Sequence, residues 1–537
     1  MKNSKKWIAV IMGQLILASA LTGCGTADKA TTGTTQGGNT STTQGATDKK
    51  MKITVAHWDA EKGLANKAND KVLQTLEEKF NVEFEAMNIT WDDYIQKIQL
   101  WAASGSLPDI FSIDAIGTSF YHDWISQGVV KGLPEDLSKY ENLNKYVQAD
   151  DIEALKIDGQ LYCIPRKTYP DNVWNAIDRT VIYRWDLAQK AGVTKEPETW
   201  EEFSDMMTKI IQADPEGKKI AGLTTTATSL LDGFLFTYSL PLAMSDGSGS
   251  DYKWVEQDGK YIPAYFIGDA VSTFQLARDL YTSGVIEPDI ALTKLQQAQD
   301  KFLQGQSAAI LRAGGPETLY DYAGKYWEEI YPGHNIFDDV KVLKLLPSKD
   351  GNKYYSVFRT SWSESYISSK VDDEKLDRIL QIYDYLISDE GSHLIDYGIE
   401  GEDFDIVDGK VVLKTEDITE KYPSTQVFNT LAQWSRSVWD ESVPARTPEG
   451  YRQLALDKYE EAAKEGTLPE FDMRYTYLST PLKDKFVIKP AEDLLNIMMG
   501  SEPVEKMYQD LLDKYEQQGL SKMIEEVNAV AKEKGWQ

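Results

Sequence analysis

Cysteine and histidine are scarce in this chain of 537 residues. It has two cysteines, Cys24 and Cys163, and four histidines, His57, His122, His334 and His393. Cys24 lies in the N-terminal segment, so the folded part keeps a single thiol and no disulfide framework is possible. The histidines are scattered without metal-ligand spacing, so no metal is expected. Basic charge is also short. Lys and Arg number 57 against 85 Asp and Glu, a formal net charge of -28. Such a surface repels phosphate backbones, which excludes nucleic acid as an expected partner. No Gly-x-Ser-x-Gly elbow, His-Glu-x-x-His pair, phosphate loop or Gly-x-Gly-x-x-Gly fingerprint stands out. No catalytic group and no cofactor are therefore expected.

Aromatic residues are plentiful. They make up 11% of the chain, and the 14 Trp are roughly double the usual share. Buried Trp and stacking platforms for a flat ligand both fit that excess. The length exceeds what one core supports, so two or more domains are expected. Lys2, Lys5 and Lys6 precede the apolar run Trp7 to Leu17, which is too short to span a bilayer. Small residues follow, ending in Leu21-Thr22-Gly23-Cys24. The pattern is a signal peptide over 1–23. The last four residues resemble the lipobox of bacterial lipoproteins, in which the Cys receives a diacylglycerol group. The resemblance implies lipidation at Cys24 and an anchor on the extracellular face of the cell membrane. Residues 25–50 are rich in Thr, Gly, Ser, Gln and Asn and cannot bury a core. As a flexible tether they span about 25–30 Å.

From residue 51 the chain alternates strand and helix patterns. Strands are read at Lys52–His57, Val82–Met87 and Asp109–Ile113, with helices between them. The second helix opens at Trp91-Asp92-Asp93, with Tyr94, Ile95, Ile98 and Trp101 expected inward. This order predicts a parallel α/β sheet with ligands beyond the carboxyl ends of its strands. Lys156 to Pro165 carries Asp158-Gly159, a type I′ hairpin signal, and ends at a proline that stops the strand. It is read as the passage from a first lobe into a second. Asp258-Gly259, Asp350-Gly351 and Asp408-Gly409 are three further hairpin signals. Thr199-x-x-Glu202 has capping-box form. The aromatic, extended Lys353 to Ser369 is read as a crossing back to the first lobe.

Five segments carry a family resemblance. Ala102 to Ile110 resembles the "SG-x-LPD" segment of the extracellular solute-binding proteins of ABC importers. Asp158 to Pro165 resembles their "DGK-LYG-IP" crossover, with Cys163 where Gly is usual; it is read as a small packed residue. Lys301 to Ile310 resembles their "F-x-x-G-x-A-A" passage, with one extra residue. Tyr397 to Phe404 resembles the "YGIEGxDY" segment of the large family 1 lipoproteins, and Met498 to Pro503 resembles the same subgroup's C-terminus. Some oligosaccharide-binding relatives carry a calcium loop near Ala213 to Gly217. The acidic alternation it needs is missing here, so no such calcium is expected.

The resemblance implies a two-lobe α/β fold of the periplasmic-binding-protein type II. Each lobe is expected to be a mostly parallel sheet flanked by helices, with hinge crossovers. The expected divisions are 51–165 for the first lobe, 166–357 for the second, 358–430 for the return to the first, and 431–537 for a C-terminal helical region of open assignment. The implied function is capture of an oligosaccharide by a monomer and delivery to an ABC permease. The rivals are a secreted carbohydrate-active enzyme and a sensing lipoprotein that reports to a membrane receptor. A sugar's C–H faces and hydroxyl rim suit aromatic planes with a few polar groups. Loop placement nominates Trp58, Asp114, Trp174, Arg312, Trp362, Glu400 and Trp439. Core packing for the aromatics, and an ion pair or cap for Asp114 and Arg312, are the alternatives.

Overall fold

The computed structural model describes residues 49–537, apart from 239–252, 358–360, 416, 433–435, 442, 469–470 and 537. Cys24, the signal peptide and nearly all of the tether lie outside the described residues. Lys50–Gln537 forms one compact unit.

The unit is built on two four-stranded sheets. The chain enters through β1 (Met51–Ala56), β2 (Val82–Ala86) and β3 (Ile110–Ile113). After the crossover come β4 (Val181–Arg184), β5 (Ala221–Thr224), the hairpin β6 (Trp254–Gln257) and β7 (Lys260–Pro263), then β8 (Ser307–Leu311) and β9 (Val340–Val342). The short β10 (Lys353–Tyr354) precedes β11 (Glu364–Ile367). A second hairpin, β12 (Phe404–Val407) with β13 (Lys410–Leu413), and β14 (Gly466–Thr467) complete the set.

The first sheet runs β11-β3-β1-β2. Its three early strands are parallel, as their helix-separated order predicts, and β11 adds antiparallel to β3. The second sheet runs β5-β8-β4-β9. Only β5 and β8 are parallel; β4 runs antiparallel to both neighbours. The expected mostly parallel order thus holds in the first lobe and gives way to a mixed sheet in the second. Strand alternation with helices does not reveal direction where β4 enters straight from a crossover.

Each sheet has its own core. Ile53, Val55, Val82, Phe84, Phe111 and Ile379 belong to the first, with Phe428 from the helix Ser424–Ala432. Asp70 ties that late helix to the first lobe. Its buried carboxylate caps the helix Lys71–Lys79 through Leu73 N at 2.9 Å and accepts from Ser424 N at 2.9 Å. Phe203, Leu223, Phe274 and Ala309 belong to the second core, with Leu494, Ile497, Tyr515 and Val527. The C-terminal helices Pro490–Met498, Val504–Gln517 and Leu520–Glu533 therefore pack with the second sheet.

The turn signals mostly hold. Asp158 and Gly159 have φ of 50° and 82°, the positive pair of a type I′ turn. The Asp258-Gly259 and Asp408-Gly409 turns close the two hairpins. Asp350-Gly351 does not, because β10 pairs in parallel with β14. Asp350 instead uses its carboxylate on the turn itself, accepting from Ser348 Oγ and from Asn352 N at 2.9 Å. Thr199 Oγ1 caps Glu202 N at 3.2 Å, as its motif predicts. Ile95 is exposed rather than inward. The helix Tyr94–Ser104 turns its buried side through Tyr94, Ile98 and Ala102.

Candidate functional site

Two strands of chain cross side by side between the sheets. Ile164 and Ser365 exchange backbone hydrogen bonds of 2.8 and 2.9 Å, and Lys167 bridges Ser361. Tyr146 clamps the outgoing crossing: its hydroxyl donates to Pro165 O at 2.8 Å and accepts from Lys167 N at 2.7 Å. Arg166 ties the crossings together, donating Nε–H to Trp362 O at 2.9 Å while Trp362 N–H donates to Arg166 O at 2.9 Å. Cys163 is buried here, and burial pushes its thiol well up, with Glu364 adding to the effect. It is a packed small residue, as expected.

At this end of the first sheet the chain leaves β1, β2 and β3 and enters β11. Trp58 follows β1, Trp91 follows β2, Asp114 follows β3, and Trp362 precedes β11. Three of these carry rings, and the rings meet. Trp58 lies 5.5 Å from Trp362 with an interplanar angle of 31°. It lies 5.1 Å from Trp91 and 5.2 Å from Tyr94, edge on to both. Trp91 stacks on Tyr94 at 5.4 Å and remains 55% exposed. The Arg166 guanidinium sits 5.2 Å over the Trp362 ring, a cation–π contact. Burial pushes the Arg166 pKa down to about 9, against the pull of Tyr146, Glu364 and Asp59. Burial also raises the Asp59 carboxyl. The result is a half-exposed aromatic surface with a buried cation beneath it. It offers flat apolar faces, and the charge fixes one of the rings.

A second cluster forms where β4 begins. Because β4 is antiparallel to β8, with Val181 opposite Leu311, residues just before β4 lie beside those just after β8. Asp178 accepts from Arg179 Nη1 at 2.8 Å and from Gly314 N at 2.6 Å. Arg312 extends 5.2 Å over the Tyr322 ring. Nearby, Trp439 lies 5.9 Å from Tyr169 and 6.2 Å from Trp174. Trp174 is 6% exposed and stacks on Tyr459 at 4.1 Å and 16°. Of these rings, Trp174 supports the others from within, whereas Trp439 and Tyr169 are half-buried.

Residues 71–392, more than half of the chain, match the family model described as bacterial extracellular solute-binding protein. The chain belongs to that family.

Among curated relatives of this solute-binding protein is the polygalacturonan/rhamnogalacturonan-binding protein YtcQ of Bacillus subtilis. It is 23% identical over 419 residues, which cover 76% of each chain. Lipoprotein LipO of the same organism is 22% identical over 60% of this chain and 62% of its own. Among solved structures, the alginate-binding protein AlgQ2 without calcium superposes with a TM-score of 0.67 at 16% identity, covering 90% of this chain and 98% of its own. FusA of S. pneumoniae, in complex with kestose, gives 0.67 at 17% identity over 90% and 99%. At such identities the structures establish the two-lobe fold. No group of three His, Cys, Asp or Glu able to hold a metal ion occurs among the described residues of this solute-binding protein.

The nominated residues thus fall into three places. Trp58, Asp114 and Trp362 share the edge of the first sheet. Trp174, Arg312 and Trp439 gather near the start of β4. Glu400 stands apart, exposed in the turn that precedes β12. That turn is organised by Asp403, whose buried carboxylate accepts from Ile399 N at 2.9 Å and Thr415 Oγ1 at 2.7 Å and pairs with Lys421. Its neighbour Glu402 pairs with Lys71 and Lys421. Burial pushes the Asp403 carboxyl up, but Lys421, the Ile399 amide and the Thr415 hydroxyl outweigh burial and leave it below its ordinary 3.8. Its stabilising share is therefore present above the unfolded pKa and lost as pH falls through the lower folded value. Asp403→Asn is expected to cost about 1–2 kcal/mol near neutral pH, since Lys421 is partly solvent-screened. The deficit should shrink below about pH 4, measured by urea unfolding at several pH values.

Trp91, Tyr94, Tyr169, Asp178 and Glu317 were not nominated from the sequence, yet they complete the two clusters. Trp91 had a usable signal, lying just past the strand end at Asn88–Thr90. Glu317 had none, because its place depends on the register of β8 against β4.

Proposed function

We propose that this family member is a lipid-anchored receptor that captures an oligosaccharide between its lobes and delivers it to an ABC-transporter permease. The observation that carries the saccharide reading is the aromatic surface of Trp58, Trp91 and Trp362 at the edge of the first sheet, where the two crossings pass. Half-exposed rings suit the C–H faces of pyranose or furanose units, and the polar groups at the start of β4 suit hydroxyls. Several of the relatives carry a saccharide in their names. YtcQ is named for binding polygalacturonan and rhamnogalacturonan, and the pneumococcal NgtS structure is a complex with Man5GlcNAc. Catalysis is not part of this proposal.

In the proposed cycle, ligand stabilises a closed arrangement by as much as its affinity differs between open and closed forms. The paired crossings at residues 164–167 and 361–365 act as the hinge, and Arg166 couples them to the Trp362 ring. Anchoring through Cys24 keeps the receptor on the outer face, and the tether lets it reach the permease. No helix among the described residues is long and apolar enough to cross a membrane.

Two experiments address the proposal. Cells lacking the protein should lose uptake of the labelled oligosaccharide it binds; unchanged uptake contradicts delivery. Cys24→Ala should move the protein from the membrane fraction into the medium, read by immunoblot. Retention of that variant on membranes contradicts the anchor.

A further inference from the structure

Four charged side chains meet where β4 begins and β8 ends. Asp178 is satisfied by Arg179 and by the Gly314 amide. Arg312 and Glu317 are satisfied only in part. The buried Nε and Nη1 of Arg312 have no hydrogen-bond partner among the described residues, and neither does the buried Oε2 of Glu317. Stacking over Tyr322 holds the guanidinium while those two donors stay without a partner. Glu317 folds back over Gly315, where an added Cβ would lie 2.1 Å from its Oε2. The glycine makes that folded-back position accessible. A buried polar group without a partner is costly to the fold. A donor and an acceptor left together in this way are complementary to a ligand that can pair with both.

Given the saccharide reading above, on which this rests, we propose that Arg312 and Glu317 form a subsite for an uncharged sugar residue. One hydroxyl accepts from Arg312, and its neighbour donates to Glu317 Oε2. The cluster of Asp178, Glu317, Arg179 and Arg312 is already balanced in charge. A uronate carboxylate placed there would add an uncompensated anion beside Glu317, Asp178 and Asp321. The chain's net charge of -28 opposes the same ligand at long range. A vicinal diol supplies an acceptor and a donor without charge.

The subsite has a pH signature. Burial raises the Glu317 pKa to about 7; its own backbone amide and Arg312 oppose the rise, and Asp178 and Asp321 add to it. The hydroxyls of Tyr169 and Tyr322 also face it. The ionised carboxylate is the form that accepts from a sugar hydroxyl. Affinity for a neutral saccharide should therefore fall by roughly tenfold from pH 8 to pH 6, as the ionised fraction falls.

The test is calorimetric titration of the mature protein at pH 6 and pH 8. The probes are neutral hexasaccharides from xylan, mannan, galactan and cellulose, with hexagalacturonate as the acidic probe. The expected result is binding of a neutral probe that weakens at pH 6. Glu317→Gln should weaken that binding and remove its pH dependence. The same variant should raise the ligand-free melting temperature at pH 8 by on the order of 1 °C, with no gain at pH 4, because ionised Glu317 costs folding stability only above its unfolded pKa. A purely structural carboxylate would not couple a stability gain to lost affinity. Arg312→Lys, which keeps the charge and loses the planar donor set, should also weaken binding. If hexagalacturonate alone binds, and binds more tightly at pH 6, the neutral subsite is wrong while the saccharide reading stands. Neutral binding indifferent to pH and to Glu317→Gln also overturns the subsite. If no probe binds at either pH, the saccharide reading fails and the subsite fails with it.

Discussion

Trp362→Ala is expected to weaken oligosaccharide binding by roughly 30-fold or more, the loss typical of a central aromatic anchor. Two roles converge on this residue. Its ring joins the Trp58 and Trp91 rings at 5.5 and 6.0 Å and lies under the Arg166 guanidinium. Its backbone holds the two crossings together through Arg166. Removing the ring deletes a stacking face and frees Arg166 to move, so both contact and closure suffer. Trp91→Ala separates the two effects. That ring is more than half exposed and takes no part in the crossings, so its loss should weaken binding several-fold with little change in melting temperature. Titration calorimetry on both variants checks this; unchanged affinity in both would remove the aromatic surface from the site.

Trp174→Ala is expected to act on stability instead, by about 3–5 kcal/mol, the usual cost of truncating a large buried aromatic. Although loop placement nominated Trp174 for ligand contact, its ring is spent on packing. One face lies on Tyr459, and the rest packs with Ile177, Ala455 and Trp439. The helix Glu449–Glu465, which supplies Tyr459 and Ala455, also packs against the segments before β4 and after β8. A cavity there should loosen the whole second cluster. The melting temperature should drop by several degrees, with affinity falling only as a consequence. A variant that melts like the parent but no longer binds would instead make Trp174 a ligand contact.

The strand and helix order of residues 51–113 was legible because period-2 and period-3.6 patterns alternate there with little ambiguity. The Lys156 to Pro165 turn was legible for a different reason, since Asp-Gly with positive φ at both residues has few alternatives. The direction of β4 was not legible. Neither periodicity nor composition encodes whether a strand leaving a crossover runs with or against its neighbours. That direction brings Asp178 beside Gly314, so the charged cluster could not be assembled from the chain in order. The aromatics were legible as a supply but not as an arrangement: Trp58 and Trp174 look equivalent in sequence, yet one lies half-open at a sheet edge and the other is sealed under a helix. Glu400 drew notice because it sits in a specific motif. The motif's physical content is Asp403, whose buried carboxylate closes the turn.

The most direct test of the central claim is a thermal-shift series on the mature, ligand-free protein with oligosaccharides from plant cell-wall glycans, peptides and other small solutes. A ligand that binds only the folded state raises the melting temperature in proportion to the logarithm of its concentration over Kd. The account predicts a saturating rise with at least one oligosaccharide, reduced by Trp362→Ala. A rise with peptides or other solutes and none with any saccharide would contradict it.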